Sequence, residues 1–274
     1  MALSLTRAGS LNSKRVRTEA EALVAADATG NLQVFFDLAR DSAFSTNVDA
    51  SKVEAFDALG TILDARALKI HEAGGDEIAG LEAFQATQED WFIRRTGFEA
   101  LWRDGSRFVY GAVNAGGMGV ERPRFGPFCL VVANPAAEAE AIAVFPADTA
   151  ERYASPTGDV DRDLARNKAA AWRDRGHATV IERAADVPTA PTTDWPRLIC
   201  NPRRYLEAIV APGPELSAVD AIRVRDSYLE RLADLTVAGS EDPLEAATEQ
   251  RQLNAIETIR RWRSEHGVAI EAVG

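Results

Sequence analysis

The chain has 274 residues, 46% of them apolar, enough to bury a full core as one large domain or as one domain with a helical extension. Its 42 acidic residues outnumber its 31 lysines and arginines for a formal charge of -11, which argues against a nucleic acid or an anionic membrane held by bulk electrostatics. No apolar run approaches the roughly 18 residues of a membrane span, and the first residues, MALSLTRAGSLNSKRVR, lack the apolar centre of a signal peptide, so a soluble, cytoplasmic protein is expected.

After a polar start, Thr18 to Ala28 and Asn31 to Ala39 read as short helices separated by Thr-Gly. Asp49 opens a clearer helix, with Val53, Phe56, Leu59 and Leu63 recurring every three or four positions. Ala67 to His71 reads as a short strand ended by Ala73-Gly74-Gly75, and Ile78, Leu81, Phe84, Trp91 and Phe92 mark a second amphipathic helix. That helix runs toward a turn at Arg95-Thr96-Gly97. Phe108 to Asn114, Phe128 to Ala133 and Ala141 to Phe145 are strand candidates, with a flexible Gly-rich loop, Ala115 to Gly119, after the first. Asp159 to Asp174 reads as helix, Thr179 to Ile181 as strand, and Asp186 to Pro196 as a Pro- and Thr-rich loop leading into Leu198-Ile199-Cys200. Beyond Arg225 the chain is helical, through Ser227 to Leu235 and then a long helix with Asp242 as N-cap, Pro243 first and Glu245 third. Leu253, Ile256, Ile259 and Trp262 form its apolar stripe, and Gly267 ends it.

The segment Asn201 to Arg225 organises these elements. Within it Tyr205 to Val210 is a strand that carries an acid, Glu207, where Val or Thr is favoured. Alternation puts Tyr205, Glu207 and Ile209 on one face and Leu206, Ala208 and Val210 on the other. Glu207 is either an exposed glutamate on a half-solvated strand or a functional carboxylate.

Few other chemistries have their residues in place. No nucleophile elbow, His-containing triad or Rossmann glycine fingerprint is present, and the GGMG loop lacks the helix and lysine of a phosphate-binding loop. His71, His177 and His266 stand too far apart for ligand spacing, and Cys129 and Cys200, in apolar strand-like settings, read as buried free thiols. The pairs Arg94-Arg95 and Arg203-Arg204 are either solvated charge or a local groove for a phosphorylated small molecule. One reaction needs little more than a strand-borne carboxylate: breaking the bond between nicotinamide and ribose in NAD, where the leaving group is already cationic and a developing oxocarbenium ion must be stabilised.

Four pieces in order carry a resemblance. LKIH ends in His71; Arg95-Thr96-Gly97 follows; then comes Tyr110-Gly111-Ala112-Val113-Asn114 with Arg124-Phe125-Gly126; last is Tyr205-Leu206-Glu207-Ala208. Over roughly Ala67 to Arg225 the chain resembles the mono-ADP-ribosyltransferase superfamily, within it a group of bacterial ADP-ribosyltransferase-like proteins. The resemblance implies an α+β fold with an ADP-ribosyltransferase-like split β core at 67–226, between a helical N-terminal region at 1–66 and a C-terminal helical extension at 227–274. It implies NAD as substrate, bound in a cleft between two sheets, and transfer of ADP-ribose to a macromolecular acceptor, a protein more than a nucleic acid. Glu207 is then the catalytic carboxylate. His71 and Thr96 hold the riboses, and Gly97, Tyr110, Gly111, Arg124, Phe125 and Tyr205 complete the NAD site. The pattern departs from the family where Phe98-Glu99-Ala100 replaces a further hydroxyl pair, and where Tyr205 stands at the place of a second acid.

Plainer readings stand beside these. His71 is alternatively a core histidine, Tyr110 and Phe125 core aromatics, and Arg124 a surface charge. Hydrolysis of NAD, or a non-catalytic module that uses the long C-terminal helix as an interface, are the alternatives to transfer.

Overall fold

The computed structural model describes residues 2–122, 125–137, 139–231 and 243–273, the side chains of 88–90 and 243 excepted. Helices α1 (Leu5–Ala26) and α2 (Asn31–Arg40) precede strand β1 (Ala43–Val48), and α3 (Ala50–Leu59), α4 (Ala65–Glu72) and α5 (Glu77–Ala100) follow it. Then come β2 (Val109–Asn114), β3 (Phe128–Val132), β4 (Ala141–Phe145) and three helices, α6 (Thr149–Tyr153), α7 (Arg162–Lys168) and α8 (Arg175–Arg183). The chain continues through α9 (Trp195–Ile199), β5 (Cys200–Asn201), β6 (Arg204–Tyr205), β7 (Glu207–Ala211) and β8 (Ala221–Arg225), and closes with α10 (Pro243–His266) and β9 (Ala269–Val273).

Among the described residues the strands form one seven-stranded sheet in the order β4-β7-β2-β1-β3-β8-β9, and β5 and β6 make a small ribbon beside it. All neighbours in the large sheet are antiparallel except β8 and β9. The fold is therefore α+β. The sheet is buried on both sides, which its strands announce by continuous apolar runs such as FCLVV and AIAVF. On one face Phe44, Leu130, Val210 and Ile222 meet Phe35 of α2, Phe56 of α3, Val180 of α8 and Trp262 of α10. On the other, Ala143, Phe145 and Ile209 meet Leu5 of α1, Phe98 of α5, Tyr153 of α6 and Ala165 of α7. Each fully buried large side chain in these layers contributes roughly 1.5–3 kcal/mol.

Several expectations change. Ala67 to His71 is helix α4, because the Asp64 side chain accepts from Arg66 N and Ala67 N at 2.9 and 3.0 Å and α4 then packs on α5, where Gly80 lies against the Ile70 backbone. Arg95-Thr96-Gly97 is not a turn but lies inside α5, whose 24 residues run through the expected break. Thr179 to Ile181 belongs to helix α8: Thr179 Oγ1 donates to Arg175 O at 2.7 Å, and packing of Val180 overrides the β-branched propensity. Leu198-Ile199 ends helix α9, with Pro196 in its first turn, and Asp159 to Asp174 holds only the short α7 and a single 3-10 turn. The polar start is ordered, since Ser4 caps α1 at Leu5 and Leu5 and Ala8 are buried. The Gly-rich loop is held rather than loose: Asn114 Oδ1 accepts from Gly116 N and Gly117 N, and its amide donates to Gly117 O.

The three-part division of the chain cuts through this sheet. β1, from the N-terminal region, is its middle strand, and β9, from the C-terminal extension, is an edge paired with β8. The stripe Ile256, Ile259 and Trp262 is buried within the protein, with Trp262 Nε1 donating to Asp57 Oδ1 at 2.7 Å, so it is not an exposed interface. Leu232, Leu235 and Asp242 lie outside the described residues.

Candidate functional site

β1 and β2 begin as partners and then part. Ala43, Phe44 and Ser45 pair with Asn114, Val113 and Ala112, but beyond Ser45 the register stops while β1 continues along β3 as far as Val48. Only Thr46 Oγ1 still reaches across, to Tyr110 O at 3.0 Å. The close approach just before the parting requires Gly111, since a side chain there would run into Ser45 O and the Phe44 ring. A cleft of about 480 Å3 opens where the strands separate, a size usual for small-molecule sites. Asn47, Val48, Val109 and Tyr110 line it from the two strands, Leu68 and Lys69 from α4, Phe84, Trp91 and Arg95 from α5, and Phe125, Asp148, Tyr205 and Glu207 from the far side.

Glu207 opens β7, paired with Ala112 of β2 and Phe145 of β4, and is 4% exposed. Its Oε2 accepts from Thr149 N at 2.8 Å. Next to it Asp148 caps α6 by accepting from Glu151 N and takes the Tyr205 hydroxyl at 3.2 Å. Burial, and then the negative charge of Asp148, push the Glu207 carboxyl up to about 8, against the Thr149 bond and the Arg95 charge, which pull it down. Burial likewise raises the Tyr205 and Tyr110 hydroxyls above their ordinary range.

A second buried acid, Glu99, stands behind this floor. Arg66 Nη2 meets its Oε2 at 2.5 Å, Arg95 Nε its Oε1 at 3.0 Å, and the Tyr110 hydroxyl donates to Oε1 at 3.1 Å. The Arg95 guanidinium lies 4.3 Å from the centre of the Tyr110 ring, a cation–π contact. Burial opposes the Arg95 charge, and Tyr110, Glu99 and Glu207 outweigh it, so the guanidinium holds its proton more firmly than usual.

No family model and no curated protein matches the chain.

Of the residues chosen from sequence, Glu207, Tyr110, Gly111, Phe125 and Tyr205 come together around this one cleft. His71, Thr96 and Gly97 do not line it. His71 sits on the last turn of α4, half-buried, while its neighbours Lys69 and Glu72 reach the cleft. Thr96 Oγ1 is bonded back to Phe92 O at 2.7 Å within α5, and Gly97 lets that helix lie against the Gly158 carbonyl. Arg124 lies outside the described residues. Sequence reasoning missed Asp148, Glu99 and Arg66. Asp148 and Glu151 have capping-box spacing directly after the strand AIAVF, and Arg95 and Glu99 are an i, i+4 pair on a helix, so both acids carried a local signal. Among the described residues no group of three or more His, Cys, Asp or Glu side chains is placed to hold a metal ion.

Proposed function

We propose that the protein cleaves the nicotinamide–ribose bond of NAD and transfers ADP-ribose to an acceptor, with Glu207 as the catalytic carboxylate. The observation that supports this reading is the meeting, at the parting of β1 and β2, of a buried glutamate with Tyr110, Gly111, Phe125 and Tyr205. Those residues come from two of the four segments that resemble the mono-ADP-ribosyltransferase superfamily, the third and the fourth. A sheet that is joined at one end and parted at the other fits the split β core of that family.

Glu207 takes a charge that the reaction demands. In the free protein burial and Asp148 keep it largely protonated at neutral pH. A nicotinamide ring is cationic, and placed beside Glu207 it favours the ionised form, so that binding drives out the proton. As the glycosidic bond breaks, nicotinamide departs with the bonding pair and the positive charge moves to the ribose, where the carboxylate stabilises it. Tyr110 and Phe125 line the cleft wall against which the ring would lie. The acceptor then forms the new bond to the ribose carbon.

The proximity of Asp148 to Glu207 favours one second reading, hydrolysis, in which a water activated by Asp148 is the acceptor. Isotope-labelled NAD separates the two, because transfer leaves label on a macromolecule and hydrolysis releases free ADP-ribose. In either case Glu207→Gln is expected to lower NAD cleavage at least about a thousandfold with the fold intact. For the native chain kcat/KM is expected to rise about tenfold per pH unit until it levels near 8, where Glu207 ionises in the free protein. Undiminished turnover in the glutamine variant removes Glu207 from the chemistry.

A further inference from the structure

A second pocket, about 340 Å3, opens beside the cleft and shares Asp148 and Tyr205 with it. Three arginines line it: Arg122 from the segment after β2, Arg152 from α6 and Arg203 from the turn between β5 and β6. Their sequence positions are far apart, so the grouping is a product of the fold. In a chain with 42 acidic side chains, none of the three guanidiniums has an ion-pair partner among the described residues. Two carboxylates, Asp148 and Glu151, also line the pocket, and neither forms an ion pair with the three among the described residues. Asp148 is occupied on one oxygen by the Tyr205 hydroxyl and on the other by Glu151 N, and Glu151 is exposed. Arg122 is also oriented in advance: its Nε and Nη2 donate to Pro202 O at 3.1 and 2.8 Å, and it lies 5.7 Å from the centre of the Phe125 ring.

We propose that this pocket is an oxyanion subsite that holds a phosphate group of a ligand whose reacting part lies in the Glu207 cleft. Three guanidiniums against two carboxylates leave a net positive pocket, and guanidinium is the planar donor that matches phosphate oxygens. A phosphate ester, with two charges and several acceptor oxygens, can engage more than one of these forks at once, whereas a lone carboxylate fills one. The wall common to both pockets, Tyr205 and Asp148, places the anion next to the reacting centre rather than on a distant surface. The anion site itself rests on its own arginines, and only the placing of the ligand's reacting part in the Glu207 cleft rests on the proposed function.

Calorimetric titration of the full chain with inorganic pyrophosphate tests it. Single-site binding is expected, weakened at least tenfold in the double variant Arg152→Ala/Arg203→Ala, whose side chains are exposed and whose loss leaves the fold in place. The control Arg103→Ala/Arg173→Ala removes the same charge from other exposed positions and is expected to bind pyrophosphate like the native chain. Repeating the native titration with NAD present identifies the source of the phosphate. Competition assigns the subsite to the nucleotide's own phosphates, and simultaneous binding assigns it to a second, phosphorylated substrate. Absence of heat at millimolar pyrophosphate, or equal weakening in the two double variants, overturns the proposal. A protein that binds pyrophosphate as described but leaves NAD uncleaved keeps this site and loses the catalytic reading above.

Discussion

Glu99 and Glu207 are equally buried, each 4% exposed, and their surroundings could hardly differ more. Glu99 has a guanidinium on each oxygen and a tyrosine hydroxyl besides. Glu207 accepts from the Thr149 N–H, and the charge that acts on it most strongly is that of another carboxylate, Asp148. The first arrangement ties α4, α5 and β2 to one another through a single side chain. The second opposes the ion and raises the carboxyl, on the wall of a cleft. Two acids buried to the same extent therefore differ in the compensation they receive, and under the proposed function it is the poorly compensated one that reacts. Arg95 links the two, paired with Glu99 and close enough to act on Glu207.

Substitutions that exchange these circumstances test the contrast. Glu99→Gln keeps the volume but strands two guanidiniums that are mostly buried, and a loss of about 3 kcal/mol is expected in denaturant unfolding. A loss below about 1 kcal/mol would show that Glu99 is not the anchor described. Glu207→Gln is expected to change stability in the other direction, by an amount that depends on pH. In the unfolded chain Glu207 loses its proton near its ordinary value of 4.5, and in the folded one near 8, so between these values only the native state holds the proton. Stability is fully present below 4.5 and drains away as pH rises to 8. The glutamine variant lacks that decline, so its advantage over the native chain grows across the window and is greatest above 8. Parallel pH–stability curves for the two proteins would contradict the unfavourable setting assigned to Glu207. The smallest effect is expected from Arg95→Gln, which removes the positive charge that now lowers the Glu207 value: carbon NMR of the labelled carboxyl should show its titration midpoint rise by about one unit. An unmoved midpoint would mean that the two acids are independent.

Much of the frame was legible before any coordinates. The strands at Phe108–Asn114, Phe128–Ala133 and Ala141–Phe145 and the C-terminal helix with its buried Ile256, Ile259 and Trp262 follow from runs and periods in the sequence. So does the division of Tyr205–Val210 into two faces, since Leu206, Ala208 and Val210 join one core while Ile209 joins the other. Short apolar stretches misled: LKIH and TVI are too brief to show a period, and a capping aspartate in one case and neighbouring helices in the other decided for helix. The turn expected at Arg95-Thr96-Gly97 does not form because α5 simply continues through it, and the Thr96 hydroxyl is spent on its own backbone.

Sequence by itself determined that an acid interrupts an apolar strand, that three apolar runs would be strands and that a long helix with a buried stripe would close the chain, because these depend on residue type and nearest neighbours. Only the tertiary structure decided that the acid feels both Asp148 and Arg95, that β1 leaves β2 after three pairs to open a cleft, and that three arginines without an ion-pair partner among the described residues gather beside it. Charge acts through space and not along the chain, so the electrostatic setting of Glu207 is fixed by side chains that the sequence keeps dozens of residues away.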